Sequence, residues 1–205
     1  IDNCQVESFS LSPKNHSVSL SQSGERIQIE CRWIVDATGR MSLLKKKLSL
    51  DQPNRHQVNA AWFRIDHALD PDDWSSNTVW KQRLQESRRM STNHFMGEGY
   101  WVWLIPLVNN RTSVGIVADG KTHPFNEIST FPKAFSWLQK FEPQLASILS
   151  EHLKDRMDFS ALKNYSHGVK QMYSHERWCL TGDAGAFVDP LYSPGSDFIG
   201  IANGF

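Results

Sequence analysis

Residues 182–195 form the part of this sequence that is best suited to bind a ligand. They follow the apolar residues 178–181, so the pattern predicts a strand that ends in a glycine and the carboxylate of Asp183. Open α/β sheets place ligands at such strand ends. Gly195 opens a segment with few helix breakers, and the N-terminus of the predicted helix would stabilise negative charge on a ligand by roughly 0.3–1 kcal/mol. A plain Gly/Pro loop between strand and helix is the alternative interpretation.

A second run, residues 31–40, has the sequence CRWIVDATGR. It predicts a short apolar strand closed by Asp36, followed by the small residues Ala37, Thr38 and Gly39. Small residues in such a turn allow the backbone to approach a ligand closely. Strands that end in small-residue turns are common in α/β proteins, so this run is weak evidence by itself and is informative only together with the first.

The third run, residues 101–106, is WVWLIP. Alternation predicts a strand with Trp101 and Trp103 on one face, a turn at residues 109–111 and a second strand at residues 112–117. From the residues alone, a tryptophan-rich hairpin packed on a core is the interpretation.

The three runs resemble, in the same order, motifs of the flavin-dependent halogenases within the FAD-dependent monooxygenase superfamily. In that family the GD aspartate contacts the ribityl hydroxyls of FAD, the DP and PG elements lie against the flavin ring, and DATGR is a turn beside the cofactor. The WxWxIP tryptophans crowd the region between the flavin and the substrate tunnel. The resemblance therefore implies FAD as cofactor and the following cofactor-binding residues: Asp36, Ala37, Thr38, Gly39, Gly182, Asp183, Pro190, Ser193, Gly195 and Ser196.

Trp101, Trp103 and Tyr192 are the active-site candidates that the resemblance suggests, and a half-buried packing role is the alternative for Tyr192. Tryptophan halogenases carry a glutamate followed by Ser-Thr-Gly where this sequence has Tyr192-Ser193-Pro194-Gly195. A tyrosine with an ordinary pKa of about 10 is no carboxylate base at neutral pH, and proline has no N–H to offer a halide. The resemblance thus supports the cofactor more firmly than it supports halogenation.

The family's GxGxxG turn over the FAD pyrophosphate is missing from this sequence, as is the N-terminal lysine that halogenases use. We therefore expect an internal segment of a larger enzyme that by itself binds FAD weakly and is inactive. The expected complete enzyme is an oxidoreductase that uses reduced FAD and oxygen to halogenate or oxygenate an aromatic or electron-rich substrate, with a separate flavin reductase. An aromatic hydroxylase or reductase of the same fold, and a non-catalytic remnant or interaction module, are the alternatives.

Composition excludes several other function classes. The 22 basic and 22 acidic residues cancel, which argues against nucleic acid or anionic lipid as a partner. The apolar runs are too short to span a membrane, and three widely spaced cysteines fit a reducing compartment, so we expect a cytoplasmic protein. The eight histidines form no metal-ligand pattern. Residues 45–47, three lysines, predict a solvated helix face.

The predicted fold is a mixed α/β (α+β) class. Residues 1–50 and 176–205 are expected to form a partial FAD-binding, Rossmann-like domain of the para-hydroxybenzoate hydroxylase type, and residues 51–175 an inserted sheet-and-helix substrate domain. Strands are predicted at residues 4–11, 17–21, 26–31, 57–65 and 163–172, and helices at residues 41–48, 78–86, 132–140 and 143–154.

Overall fold

The structure is a computed structural model that describes residues 1–202 and residue 204. Asn203 and Phe205, at the end of the last predicted helix, lie outside the described residues. The strands are β1 (Gln5–Ser10), β2 (His16–Gln22), β3 (Glu25–Cys31), β4 (Ile34–Asp36), β5 (Asp51–Gln52), β6 (Val58–Ile65), β7 (Asn93–Gly97), β8 (Tyr100–Leu107), β9 (Arg111–Asp119), β10 (Ser160–Leu162), β11 (Gly168–Val169), β12 (Tyr173–Ser174) and β13 (Trp178–Leu180). The α-helices are α1 (Leu43–Lys47), α2 (Thr78–Lys81), α3 (Phe131–Phe141), α4 (Pro143–Glu151) and α5 (Pro194–Ala202).

The chain divides into two compact units. The first contains Ile1–Asn54 and Ser166–Phe205, and the second contains Arg55–Tyr165. The boundaries predicted after residues 50 and 175 differ from these because residues 166–175 pair within the first unit, where β11 pairs with β5 and β12 pairs with β13.

The first unit brings two of the three runs to one sheet edge. β4 and β13 pair in parallel, with Asp36 opposite Leu180, and the amide of Thr181 donates a hydrogen bond of 3.0 Å to the Asp36 carbonyl. Parallel strands end at the same edge of a sheet, so the DATGR and GD turns lie side by side. Leu44 and Trp178 are buried with Leu180 in the core of this unit. An antiparallel meander of β1, β2 and β3 forms a separate sheet.

The second unit is an antiparallel sheet of five strands in the order β10-β6-β9-β8-β7. α3 and α4 are amphipathic, and each buries one stripe, such as Trp137 and Leu138 of α3 and Leu149 of α4. These side chains share a core with alternate sheet residues, including Val102 and Ile116. The helices therefore pack on one face of the sheet, as the period-two and period-3.6 patterns predict.

Two predicted elements are wrong in extent. The helix predicted at residues 78–86 stops at Lys81, because α2 buries no side chain and the following Leu84 is 53% exposed, so no apolar face stabilises a longer helix. The strand predicted at residues 163–172 is broken, since Asn164 has a left-handed backbone (φ 45°) that a strand cannot accommodate. Only β11 lies within that range.

The hydroxyl of Tyr100 makes the stability of the second unit depend on pH in the alkaline range. It donates a hydrogen bond of 2.9 Å to Glu142, and burial, with this carboxylate, raises the pKa of Tyr100 to about 12. The unfolded chain releases this proton near pH 10, so the contribution of Tyr100 to stability is present below about pH 10 and is lost between about pH 10 and pH 12.

We therefore expect Tyr100→Phe to unfold at a lower temperature than the wild type near pH 9 but to lose less stability on going to about pH 11. Thermal unfolding at the two pH values measures this. Tyr173→Phe, at a side chain that is 48% exposed, is the matched control. Equal pH dependence in the Tyr100→Phe variant and the wild type would contradict the assignment.

No helix within residues 1–202 is both long and apolar enough to cross a membrane.

Candidate cofactor site

Asp36 fixes the first turn of the site. Its Oδ1 accepts hydrogen bonds from the amide (2.9 Å) and hydroxyl (2.6 Å) of Thr38, and its Oδ2 accepts one from the amide of Leu44 (2.7 Å). The residue is 4% exposed. Both carboxylate oxygens are thus engaged by the chain, and Asp36 holds the turn in shape. Ala37, in contrast, is exposed, and Gly39 has a φ of +59°, which favours glycine.

A cavity of about 810 Å³ lies in the first unit against the GD turn and α5. Its volume falls within the range of about 300–1,000 Å³ that ligand pockets occupy. The lining is mostly apolar and includes Val169, Met172, Phe187 and Phe198. Six of the residues predicted to bind the cofactor line it: Gly182, Asp183, Pro190, Ser193, Gly195 and Ser196. The other four predicted residues lie in the neighbouring DATGR turn and are not among those that line this cavity.

Asp183 is the charged residue among those that line this cavity. It lies in a 3₁₀ turn, Gly182–Ala184, directly after β13. Its backbone carbonyl accepts a hydrogen bond of 3.0 Å from Nε2 of His167, whose own backbone exchanges two hydrogen bonds of 2.9 Å with Phe187. Asp183 therefore lies on a turn that His167 holds by a hydrogen bond. A carboxylate on such a fixed turn is suited to bind hydroxyl groups of a ligand.

The three glycines of the motif, Gly182, Gly185 and Gly195, differ in their structural surroundings. Gly182 has a φ of +54°, a conformation that favours glycine. A Cβ on Gly185 would lie 2.4 Å from the sulfur of Met172, so this glycine permits close packing instead of ligand approach. A Cβ on Gly195 would meet no atom within 4 Å, so space beside the first turn of α5 is open.

Tyr192 and Ser193 are successive left-handed residues, with φ values of 60° and 56°. This conformation is uncommon for residues other than glycine and marks positions that the surrounding structure holds. Ser193 lines the cavity, whereas Tyr192 is 80% exposed and is not among the lining residues of the first unit. Tyr192 is thus more exposed than a half-buried packing residue, and its active-site role stays a prediction.

Lys45 contradicts the prediction of a solvated lysine face. It is 2% exposed, and its Nζ donates a hydrogen bond of 3.0 Å to the carbonyl of Gly185. Burial lowers the pKa of this ammonium group. Lys46 and Lys47 are exposed as predicted. The error arose because the sequence of α1 shows three equivalent lysines, and only the fold distinguishes the one that points inward.

Trp101 and Trp103 lie in the second unit on one face of β8. Val102 and Leu104, on the opposite face, pack with the helices, so the helix-sheet core does not use the two tryptophans. Their ring centroids are 5.7 Å apart, and Nε1 of Trp103 donates a hydrogen bond of 3.0 Å to the hydroxyl of Ser113. Trp101 is nevertheless buried, at 7% exposure, so for this residue the packed hairpin and the active-site role both stay predictions.

The face that carries these tryptophans is wider than the sequence motif. Trp62, Gly115, Trp103 and His94 stand in register across four neighbouring strands. Gly115 allows the Trp103 ring to lie on the backbone of β9, since a Cβ there would be 2.0 Å from the ring. Trp62 and His94 were missed because no local motif marks them, and only the strand register brings them to this row.

Gly115→Ala is accordingly expected to lower stability by about 1–3 kcal/mol, because the added methyl group forces the Trp103 ring to move. Thermal unfolding of the complete protein measures the change. Gly200→Ala is the control, since a Cβ there meets nothing within 4 Å and alanine favours the helix by up to about 1 kcal/mol. An unchanged midpoint for Gly115→Ala would show that Trp103 does not need the space.

Metal chemistry finds no support in the part of the chain that the structure describes. Within residues 1–202 and 204, no group of three or more His, Cys, Asp or Glu side chains is placed to hold a metal ion.

Known proteins similar to this chain are flavoenzymes. No protein family model matches the sequence. The flavin-dependent halogenase chlA of Dictyostelium discoideum is 29% identical over 204 residues, which cover 96% of this chain and 33% of that protein. The 1H-pyrrole-2-carbonyl-[peptidyl-carrier protein] chlorinase of Pseudomonas fluorescens is 28% identical and covers 90% of this chain and 39% of its own length. The chain thus spans about a third of the length of these relatives.

Solved structures show the same fold. The halogenase PltM in complex with phloroglucinol and FAD has a TM-score of 0.77 at 23% identity, over 94% of this chain and 39% of that one. A flavoprotein/dehydrogenase from Cytophaga hutchinsonii has a TM-score of 0.72 at 20% identity, over 96% of this chain and 45% of that one. The predicted mixed α/β fold of the para-hydroxybenzoate hydroxylase type is confirmed. In sequence, the chain is similar to flavin-dependent halogenases, and it shares their fold.

Proposed function

We propose that this chain forms the ribityl and flavin-ring side of an FAD site in an FAD-dependent oxidoreductase. The observation that carries the proposal is the cavity of about 810 Å³, which six of the predicted cofactor-binding residues line. Its chemistry suits the cofactor, because a carboxylate, Asp183, stands beside a mostly apolar wall. A flavin offers the complementary surfaces, namely a polyhydroxyl chain and a flat ring.

The residues of the first unit would act by binding and orienting the cofactor. Asp183 would accept hydrogen bonds from ribityl hydroxyls, and Pro190, Ser193, Gly195 and Ser196 would lie against the ring. The N-terminus of α5 would stabilise negative charge on the ring through its dipole. In the DATGR turn, Ala37, Thr38 and Gly39 would approach the cofactor with their backbone, and Asp36 would hold them in place.

The second unit would serve as the substrate domain, and Trp101 and Trp103 would be its active-site residues. FAD, reduced by a separate flavin reductase, would supply oxygen-activating chemistry. The substrate would be an aromatic or electron-rich small molecule. Similar proteins support this class, since they are named as a pyrrole-2-carbonyl chlorinase and a tetracycline 7-halogenase, and one is solved with phloroglucinol.

Halogenation is the leading reaction, and oxygenation or reduction on the same fold is the second candidate. Tyr192 and Pro194 stand where tryptophan halogenases carry a glutamate and a threonine, so the acid–base group and one halide-binding amide of those enzymes are replaced. The fold is also shared with a flavoprotein/dehydrogenase, which favours keeping the second candidate.

An activity assay of the complete protein distinguishes these reactions. The protein would be incubated with FAD, a flavin reductase, NADH and bromide, and products from a panel of indoles, phenols and pyrroles would be analysed by mass spectrometry. Brominated products support the leading proposal, and hydroxylated products alone support the second candidate. A purified protein that neither carries flavin nor binds it would indicate a non-catalytic interaction module.

The 205-residue chain by itself is expected to bind FAD more weakly than micromolar and to be inactive. Its sequence contains no GxGxxG turn after a strand, so it lacks this means of holding the pyrophosphate. Titration of FAD with the isolated chain, followed by flavin fluorescence, measures the affinity. A sub-micromolar dissociation constant would show that this chain carries its own pyrophosphate site.

A further inference from the structure

Lys45 is an unusual side chain in the first unit, because it is a lysine buried to 2% exposure. Its nearest carboxylate, that of Asp51, is 3.7 Å away, and the Asp51 side chain is 67% exposed. An ammonium group removed from water is unfavourable unless fixed partners offset the loss of hydration. A lysine at such a position therefore indicates a role for its polar head.

The polar head of Lys45 bonds the turn that carries Asp183. Its Nζ donates a hydrogen bond of 3.0 Å to the carbonyl of Gly185. Gly185 ends the 3₁₀ turn and its amide bonds the carbonyl of Gly182 at 3.0 Å, so the two ends of the turn are linked. Gly182 and Asp183 line the cavity, whereas Gly185 and Lys45 are not among its lining residues.

The base of Lys45 is held as firmly as its head. The preceding residue, Leu44, is fully buried, and its amide is bonded by Asp36 at 2.7 Å. The carbonyl of Lys45 accepts a hydrogen bond of 3.0 Å from Leu50. Lys45 thus forms a rigid connection between the DATGR segment and the GD turn, which are about 140 residues apart in the sequence.

We propose that Lys45 is a positioning residue for the proposed FAD site. By donating a hydrogen bond to the carbonyl of Gly185, Lys45 sets the orientation of Asp183. The proposal rests on the proposed function of the cavity. Lys45 does not line the cavity, so its effect on the cofactor passes through the turn.

The test compares Lys45→Met, Lys45→Gln and Lys45→Arg in the complete protein, with Lys46→Met at an exposed neighbour as the matched control. FAD affinity is measured by titration, and the orientation of the ring by circular dichroism in the flavin absorption bands. Without this hydrogen bond the turn can adopt other conformations, and an affinity about tenfold weaker corresponds to a binding-competent fraction of about one tenth. We expect this loss and an altered flavin spectrum for Lys45→Met, and affinity within about threefold of the wild type for Lys45→Arg and Lys46→Met.

If Lys45→Met does not fold, Lys45→Gln takes its place, because a glutamine keeps a neutral donor of shorter reach and is expected to show a weaker form of the same effects. Unchanged affinity and an unchanged flavin spectrum in the folded Met or Gln variant would overturn the proposal. An equal loss in Lys46→Met would overturn it as well. A wild-type protein that binds no FAD would instead refute the proposed function on which it rests.

Discussion

Asp183→Ala is expected to weaken FAD binding by the complete protein by about tenfold to a hundredfold. Asp183 lines a mostly apolar cavity, where its carboxylate would accept charged hydrogen bonds from the cofactor hydroxyls. Each such bond contributes about 1.5–3 kcal/mol, and 1.4 kcal/mol corresponds to a factor of ten in affinity. Titration of the apoprotein with FAD measures the change.

Asp197→Ala is the matched control for this prediction. It removes the same charge from the first turn of α5, but Asp197 is exposed and is not among the residues that line the cavity. Its affinity should stay within about threefold of the wild type, because a solvated charge outside the site contributes little. Equal losses in both variants would mean that net charge, and not a bond from Asp183, determines the affinity.

Asp36→Ala is expected to have the largest effect on stability, about 3 kcal/mol or more. The substitution leaves the amides of Thr38 and Leu44 without their acceptor in a part-buried and a buried position. A buried donor left unsatisfied costs about 1–3 kcal/mol. The hydroxyl of Thr38 loses its bond as well. Hydrogen exchange of residues 38–48 in the complete protein would therefore become much faster.

Asp2→Ala is the control for this variant, since Asp2 is exposed and belongs to the same unit. Asp36→Asn is expected to have an intermediate effect. Its amide oxygen can still accept a hydrogen bond from Thr38, whereas its NH₂ group would face the amide N–H of Leu44, and two donors form no hydrogen bond. We expect exchange in residues 38–48 to rise in the order wild type, Asp36→Asn, Asp36→Ala. Slow exchange in the alanine variant would show that the turn is stable without this carboxylate.

The sequence predicted much of what positions the site, because the relevant signals are local. Apolar residues before DATGR and GDAG indicate strands, and glycine and proline mark the turns that follow. The parallel pairing of β4 and β13 then brings both turns to one edge, as expected for an α/β sheet. The three-stranded meander and the hairpin of β8 and β9 follow from alternation and turn residues in the same way.

Features that depend on tertiary contacts were not predictable. Lys45 looks like its two neighbours in sequence, and only the packing of α1 buries it. His167 bonds the carbonyl of Asp183 from a segment that pattern assigned to a strand, which Asn164 interrupts with its left-handed backbone. The row that joins Trp62 and His94 to Trp103 exists only through strand register. Such contacts carry no local signal, since each joins residues that are distant in the chain.

The central claim is that the cavity beside the GD turn binds the flavin half of FAD. Hydrogen exchange of the complete protein with and without saturating FAD tests it most directly. We expect slower exchange on FAD binding in residues 168–173 and 182–202, which contain nearly all of the cavity lining, and no change in the meander strands β1 and β2. FAD binding that leaves exchange in residues 182–202 unaltered would contradict the claim.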